Sequence, residues 1–427
     1  MANKLPLITD INDIPEQALV PLGEQPYVIP EHWKWVRLGS LITLISGRDA
    51  ALTKCNDKGI GIPYVMGASN FVGSNLNIER WIEAPEVVSP SGALLLTVKG
   101  TIGKLHVQEA EKMNLSRQVM ALVPGPCLTT EYLHFFMSAY ITQLETAAVG
   151  LIPGISRADV LSTPIPLSSL DEQSCIVEYI EQINAKIDDV IQRLEHYVDE
   201  APNRRAELIR AGVNGILTSD WRDEQGRSID DWESMTLGEA FKWSSGGTPS
   251  RKRPEYYEGT IPWIKSGELP DGRIADSEEH ISEDAVASSS AKIFPQDSVL
   301  IAMYGATIGK VGILDASATT NQAIACALPS PDTIPDFLAL FLQARKPDFI
   351  ALGKGGAQPN ISQTVIKAFP FRRPPLEEQE KIVKVILSGL AKIDTSAELT
   401  QRAIDDIETL REATVLAALS GRLGLRP

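Results

Sequence analysis

Apolar residues recur along two stretches of this chain at spacings that alternate between four and three. In the first they are Ile176, Ile180, Ile183, Ile187, Val190, Leu194 and Tyr197, beginning just after Asp171. Such spacing is the heptad seam of a helix built to lie against a partner helix. Pro202 interrupts it, and a second amphipathic piece follows through Leu208, Ile209, Val213 and Leu217. The second stretch starts at Glu377 with Val383, Ile386, Leu390, Ile393 and Ala397, then Ile404 and Ile407. It meets no proline before Ser420. Asp171-Glu172 and Glu377-Glu378 place carboxylates where the positive end of a helix dipole favours them. At ~1.5 Å per residue, helices of roughly 30–40 residues span roughly 45–60 Å. The pattern predicts that the two helices pair, antiparallel and coiled-coil-like, and hold the parts they join at a fixed separation. Packing of each helix on its own globule is the plainer alternative.

Ahead of each helical stretch the texture is mixed. Ala93–Val98 and Val299–Met303 predict buried strands, while Tyr132–Tyr140 and Phe337–Gln343 predict short helices. Clusters of Gly, Ser and Pro at Gly246–Pro249 and Gly353–Pro359 predict loops.

The two halves repeat one another. Trp33, Leu38-Gly39, Ser46-Gly47 and Ile62-Pro63-Tyr64 fall on Trp232, Leu237-Gly238, Ser245-Gly246 and Ile261-Pro262-Trp263 at one offset of 199 residues. Thr101-Ile-Gly-Lys104 falls on Thr307-Ile-Gly-Lys310 at 206, so the second copy carries a net insertion. Pro153-Gly-Ile155-Ser156 then answers Pro359-Asn-Ile361-Ser362, and Leu170-Asp-Glu172-Gln173 answers Leu376-Glu-Glu378-Gln379. The reading is an α+β (mixed α/β) protein with a pseudo-twofold internal repeat: an arm (1–29), a globule (30–168), a helical spacer (169–220), a second globule (221–374) and a second spacer (375–427).

Composition narrows the function. With 43% hydrophobic and 22% charged residues, the 427-residue chain can bury real cores. No run approaches the ~20 apolar residues of a membrane span, and the start, Met1-Ala-Asn-Lys-Leu-Pro6, lacks the apolar stretch of a secretory signal. Cys55, Cys127, Cys175 and Cys326 are scattered without a CxxC pair, which suits a reducing cytoplasm and neither zinc nor disulfides. The net charge of −15 speaks against nucleic acid until its distribution is read. Residues 171–200 hold nine acidic and two basic side chains, a net of −7, so much of the acidity sits on the first spacer.

No catalytic motif emerges. Gly100-Thr-Ile-Gly103-Lys104 and Gly305-Ala-Thr-Ile-Gly309-Lys310 miss the phosphate-loop spacing and its hydroxyl, and read as tight turns with an exposed lysine. The five histidines, His32, His106, His134, His196 and His280, have no metal spacing, so neither metal nor cofactor is expected.

In this order, twice, the motifs resemble the DNA-specificity subunits of type I restriction-modification systems. The carriers are Trp33 and Trp232 with their Leu-Gly, Gly246-Gly-Thr-Pro249, Gly305–Lys310, Thr320-Asn-Gln322, Asn360-Ile-Ser362 and Pro374-Pro-Leu-Glu-Glu-Gln379. The likeness runs from about Pro30 to Leu425. The first copy departs from it with Ser46-Gly-Arg-Asp49 and Ser116-Arg-Gln118. The resemblance implies a non-catalytic subunit whose two globules are target recognition domains, each reading half of a split double-stranded site. It implies helices that dock two methyltransferase subunits, adenine methylation from S-adenosylmethionine by those partners, and cleavage when ATP-dependent restriction subunits join. A specificity subunit of a methylation-only or fused system shares all of this, whereas a coiled-coil protein scaffold would bind no DNA. An enzyme with an unfamiliar site would need converging polar residues in a pocket.

Under that resemblance the candidate DNA contacts are Arg48, Lys54, Lys58, Lys99, Lys104 and Arg117 in the first copy. In the second they are Arg251, Lys252, Arg253, Lys265, Arg273, Lys310 and Lys354. Trp33 and Trp232 read as packing anchors before base-stacking platforms. Gln118 and Gln322 suit structural hydrogen bonds and base contacts equally.

Overall fold

The computed structural model describes residues 7–73, 75–147, 154–353 and 360–426. Lys354 and the rest of the loop to Pro359 lie outside them. Five helices matter here: α1 (Thr130–Ala147), α2 (Leu170–Asp199), α3 (Ala201–Val213), α4 (Pro335–Ala344) and α5 (Leu376–Leu419). The chain forms two units, Met1–Leu194 with Arg402–Pro427, and Glu195–Gln401, so each takes one part of α5.

The first unit carries a four-stranded sheet in the order Leu105–Val107, Leu94–Thr97, Val119–Pro124, Ile42–Ser46, antiparallel throughout. The second carries the corresponding order from the other end, Trp243–Ser245, Ile324–Ala327, Val299–Ala302, Val311–Leu314, with a fifth strand, Gly272–Ile274, added in parallel. That strand lies in the stretch where the repeat offset grows. Each unit also has a small parallel pairing, Ile62–Val65 with Lys112–Leu115 and Ile261–Ile264 with Thr319–Thr320. Each closes on an antiparallel pair, Lys34–Arg37 with Pro164–Leu167 and Glu233–Thr236 with Pro370–Arg373. Leu94, Leu95 and Leu96, like Leu300 and Ile301, are wholly buried, which is why these strands read as continuous apolar runs rather than alternating ones.

The N-terminal residues are strapped to the first unit. Ile8 N donates to Ser40 O (2.7 Å) and Val20 N to Trp35 O (3.0 Å), and Ile8 and Ala18 enter its core.

The repeated motifs are explained by one buried clamp made twice. Trp33 Nε1 donates to Glu172 Oε1 (3.2 Å) and Trp232 Nε1 to Glu378 Oε2 (2.9 Å). Gln173, fully buried, donates to Ser168 O and Cys127 O and accepts from Thr129 N, each at 3.0 Å. Gln379 donates to Pro374 O (2.8 Å) and Asp332 O (3.0 Å) and accepts from Ile334 N (2.8 Å). A buried amide must satisfy every donor and acceptor, and these two do so by tying the start of α2 or α5 to the start of α1 or α4. Both tryptophans are packing anchors, 4% exposed.

The helices break where the sequence says. Pro202 sits in the first turn of α3, where its missing N–H is harmless, and α5 runs unbroken to Leu419. The first seam needs correction at two positions: Tyr197 is 40% exposed, and the other lies two turns earlier. Ile176 and Ile180 are buried and Ile183, Ile187 and Leu194 half-buried, but Val190 is 43% exposed and Ile191 turns inward at 8%. A 3.6-residue period drifts against a strict heptad, and at that turn the four-residue step from Ile187 wins. On α5, Ile386 and Leu390 are buried, Val383 and Ile393 half-buried, and Ile382 is wholly buried beside them.

Candidate nucleic-acid interface

One edge of each sheet gathers four loops. In the first unit these are Ser46–Asp49, Val98–Lys104, Ser116–Gln118 and Gly154–Arg157. Gly47 N donates to Val119 O (3.1 Å), Val98 N to Gln118 O (2.8 Å) and Ile155 N to Val98 O (3.0 Å), and Lys99 bridges to Gly154. In the second unit Gly247 N donates to Thr320 O (2.9 Å), Met303 N to Ala323 O (2.8 Å) and Ile361 N to Met303 O (2.9 Å), and Tyr304 bridges to Asn360. The same four motifs are thus joined at both edges, through backbone bonds that shift by a few positions between the copies. Glycine is required at the stitch: a Cβ on Gly47 would stand 2.1 Å from Ser116 O, and one on Gly246 2.0 Å from Thr320 O.

The phosphate-loop look-alikes are hairpin tips. Gly100 and Gly103, and Gly305 and Gly309, take positive φ values of 75°, 88°, 62° and 78°, which L side chains rarely adopt. Lys104 is drawn back to donate to Phe71 O (2.9 Å) and Ala68 O (3.2 Å), whereas Lys310 stands half-buried at its tip.

The family model for the type I restriction modification DNA specificity domain matches residues 30–196 and 229–409. The chain belongs to this family. Over 169 residues it is 32% identical to the type I restriction enzyme EcoR124I/EcoR124II specificity subunit of Escherichia coli, a match covering 38% of this chain and 41% of that one. Over 425 residues it is 25% identical to the StySPI specificity subunit of Salmonella potsdam, covering 92% and 90% of the two chains. Its fold matches the crystal structure of the HsdS subunit from Thermoanaerobacter tengcongensis with a TM-score of 0.62, at 20% identity, over 94% of this chain and 100% of that one. Membership gives the chain a specificity role, which is non-catalytic. Among the described residues there is no cluster of His, Cys, Asp and Glu able to hold a metal ion, and no helix long and apolar enough to cross a membrane.

The basic side chains of this specificity subunit fall into distinct settings. Among the described residues Arg48, Lys58, Lys99, Lys252 and Lys310 make no ion pair. Arg48, Lys99, Arg117 and Lys310 lie on the two edges. Lys58 sits on the turn after Asn56, which caps its backbone N (3.0 Å), and Lys54 pairs with Glu86 (3.2 Å). Arg251 is clasped by Glu279 (2.6 Å) over the rings of Tyr257 and Trp263 (4.1 and 5.1 Å), and Arg253 donates to the Tyr256 hydroxyl (2.8 Å). Lys265 meets Glu278 (3.0 Å), Glu279 (3.2 Å) and Glu268 (3.5 Å), and the first two hold its ammonium far above its ordinary pKa. Arg273 is bound by Asp336 (2.7 Å), Asp315 (3.2 Å) and Asp297 (3.3 Å), which raise its pKa in turn, Asp336 most. Asp297 and Asp315 flank the open end of the Val299–Leu314 hairpin, so Arg273 belongs to the end opposite the Lys310 tip.

Two edge residues had escaped the sequence reading. Arg157 Nη1 donates to Leu44 O and Ser46 Oγ, each at 2.9 Å, and Gln363 Nε2 reaches Ser245 Oγ (3.4 Å). Both follow the repeated Ile-Ser pair, Ile155-Ser156 and Ile361-Ser362, and aligning the two copies one residue further would have found them.

Proposed function

We propose that this chain is the DNA-reading subunit of a type I restriction-modification complex and recognises a bipartite double-stranded site. Residues 30–168 read one half and residues 221–374 the other. The spacers, 169–220 and 375–427, pair antiparallel and dock two methyltransferase subunits, joined by ATP-dependent restriction subunits where the system cuts, in the cytoplasm. The observation that carries this reading is the duplicated edge: Gly47 and Gly246 pack alike on the carbonyls of Ser116 and Thr320, with unlike side chains on top.

Helix pairing draws support from contacts inside each unit. In the first, Arg411 donates to Asp188 (2.6 Å). In the second, Gly212 lies against Ile386 and Gly389 against Leu208, Arg205 pairs with Asp394, and the hydroxyls of Tyr197 and Ser396 meet at 2.9 Å. Partner numbers rise on one helix as they fall on the other, as antiparallel neighbours require. Phosphate contact falls to the unpaired cations, Arg48, Lys58, Lys99, Lys252 and Lys310, because a cation already held by carboxylates has less to gain from a phosphate. Arg273 and Lys265 serve structure under this reading.

The test is to co-express the chain with its methyltransferase partner and map methylated adenines genome-wide. A split motif with a constant gap is expected, and exchanging residues 30–168 should alter one half of it. A methylome unchanged by deleting this chain, with the partner active, would overturn the proposal.

A further inference from the structure

At the centre of each edge a short side chain from the glycine loop orients a longer one from the loop across from it, and the two units do this differently. In the first unit Asp49 Oδ2 lies 2.8 Å from Arg117 Nε, and its Oδ1 accepts from Arg117 N at 3.1 Å. The residue that follows Asp49 at the repeat offset of 199 is Thr248, and its hydroxyl donates to Gln322 Oε1. Arg117 and Gln322 are both exposed. Among the described residues, neither the Nη1 and Nη2 groups of Arg117 nor the Nε2 of Gln322 has a partner.

What each pair offers outward is a defined pattern. A guanidinium fixed at Nε presents the parallel N–H donors of its two terminal nitrogens, which match O6 and N7 of guanine. A primary amide whose oxygen is held by one hydroxyl keeps a second lone pair beside its two N–H donors, which match the N6 amino group and N7 of adenine. Neither pair is suited to phosphate. Gln322 is neutral, and Arg117 is already neutralised by Asp49, so what remains is direction rather than charge. Both sit on backbone that cannot shift easily, because Gly47 and Gly246 pack against the carbonyls of Ser116 and Thr320. Side chains ordered before binding lose less entropy on contact.

We propose that Asp49–Arg117 and Thr248–Gln322 are the base-reading pairs of the two half-sites, Arg117 reading a guanine and Gln322 an adenine, with Asp49 and Thr248 as positioning residues. The proposal rests on the reading of the edges as DNA-facing.

The test uses the full complex with the partner methyltransferase and reads base preference at every position of the methylated motif. Arg117→Ala should relax one guanine position in one half, and Gln322→Ala one adenine position in the other, each losing about tenfold or more in discrimination. Gln322→Glu keeps an oxygen for Thr248 but loses the donor, and should turn the same position towards cytosine, whose N4 amino group donates to a carboxylate. Thr248→Val should relax that position in part, with Thr248→Ser restoring it. Should an alanine variant fail to assemble, Gln322→Glu and Arg117→Lys carry the test, since Arg117→Lys keeps the charge and loses the fork. An unchanged motif in assembled complexes would overturn the proposal, as would weaker binding spread evenly over all sequences. A wild-type complex that yields no split motif would overturn the reading of the edges, and this proposal with it.

Discussion

The two clamps share a motif and differ in setting. Glu378 is 1% exposed in its side chain and faces Arg222, 6% exposed, at 2.8 Å, with the Thr218 hydroxyl at 2.9 Å and the Trp232 indole at 2.9 Å. Glu172 is 10% exposed and faces His32, half exposed, at 2.7 Å, together with Trp33 and Ser169. One glutamate therefore belongs to a desolvated ion pair and the other to a rim network that water can help satisfy. A repeat can keep its hydrogen-bond geometry while changing its electrostatic regime, because geometry is set by the helix start and the regime by whichever loop lies over it.

Removing each glutamate measures this difference. Glu378→Ala strands a buried guanidinium and should cost about 3–5 kcal/mol. Glu172→Ala leaves Trp33 and Ser169 short of a partner and should cost about 1–3 kcal/mol. Denaturant unfolding of the two variants checks the order, and equal losses would break the comparison.

The edges provide the next contrast, this time of likeness. Gly47→Ala and Gly246→Ala each drive a Cβ into a backbone carbonyl, at 2.1 and 2.0 Å. Thr320 is a strand residue, and Ser116 is held by bonds from its N to Val65 O and from Val119 N to its O, each 3.0 Å, so both variants should destabilise by about 1–3 kcal/mol and loosen the adjoining loops in hydrogen exchange. Gly267, with nothing within 4 Å of a Cβ, is the control, and its alanine variant should be near neutral. A harmless Gly246→Ala would mean that the stitching is softer in the second unit.

These features were legible to different degrees. The duplication, the break at Pro202 and the long second helix are written in spacing and proline, which act locally. Trp33 and Trp232 read as packing anchors before base-stacking platforms, and both are 4% exposed. The partners of Arg273 could not be read, because Asp297, Asp315 and Asp336 meet it only when the Gly272–Ile274 strand joins the sheet, and Glu278 and Glu279 reach Lys265 only when His280–Ile281 pairs with Ile261–Pro262. Val190 and Ile191 stood equally well on an apolar stripe, and only packing chose between them. The reading pairs were half legible. Gln322 and Arg117 lie in visible motifs, but Asp49 and Thr248 gain meaning from contacts across 68 and 74 positions.

The cations sort by the same logic. Lys99→Ala and Lys310→Ala should weaken binding to all duplexes alike and lower the salt slope by about one ion each, read by titration at several ionic strengths. Arg273→Ala removes an exposed link among three aspartates. It should cost about 1 kcal/mol or less of stability and leave the salt slope untouched. A fallen slope for Arg273→Ala would move the DNA-facing surface to the other end of the hairpin.

The smallest expected effect is one of pH, and it isolates the rim clamp. Burial pushes the Glu172 carboxyl up, but the bonds from His32, Trp33 and Ser169 outweigh it and hold the group below its ordinary value of 4.5. A carboxyl with a depressed folded pKa adds stability that is present above its unfolded pKa and is lost as pH falls through the folded one. Wild type and Glu172→Gln should therefore still differ at about pH 5. Below that the margin should close, because the protonated glutamate comes to resemble the amide. Thermal unfolding of both proteins across that range reads the margin directly, and one that stays constant down to pH 3 would show that the Glu172 bonds do not depend on its charge.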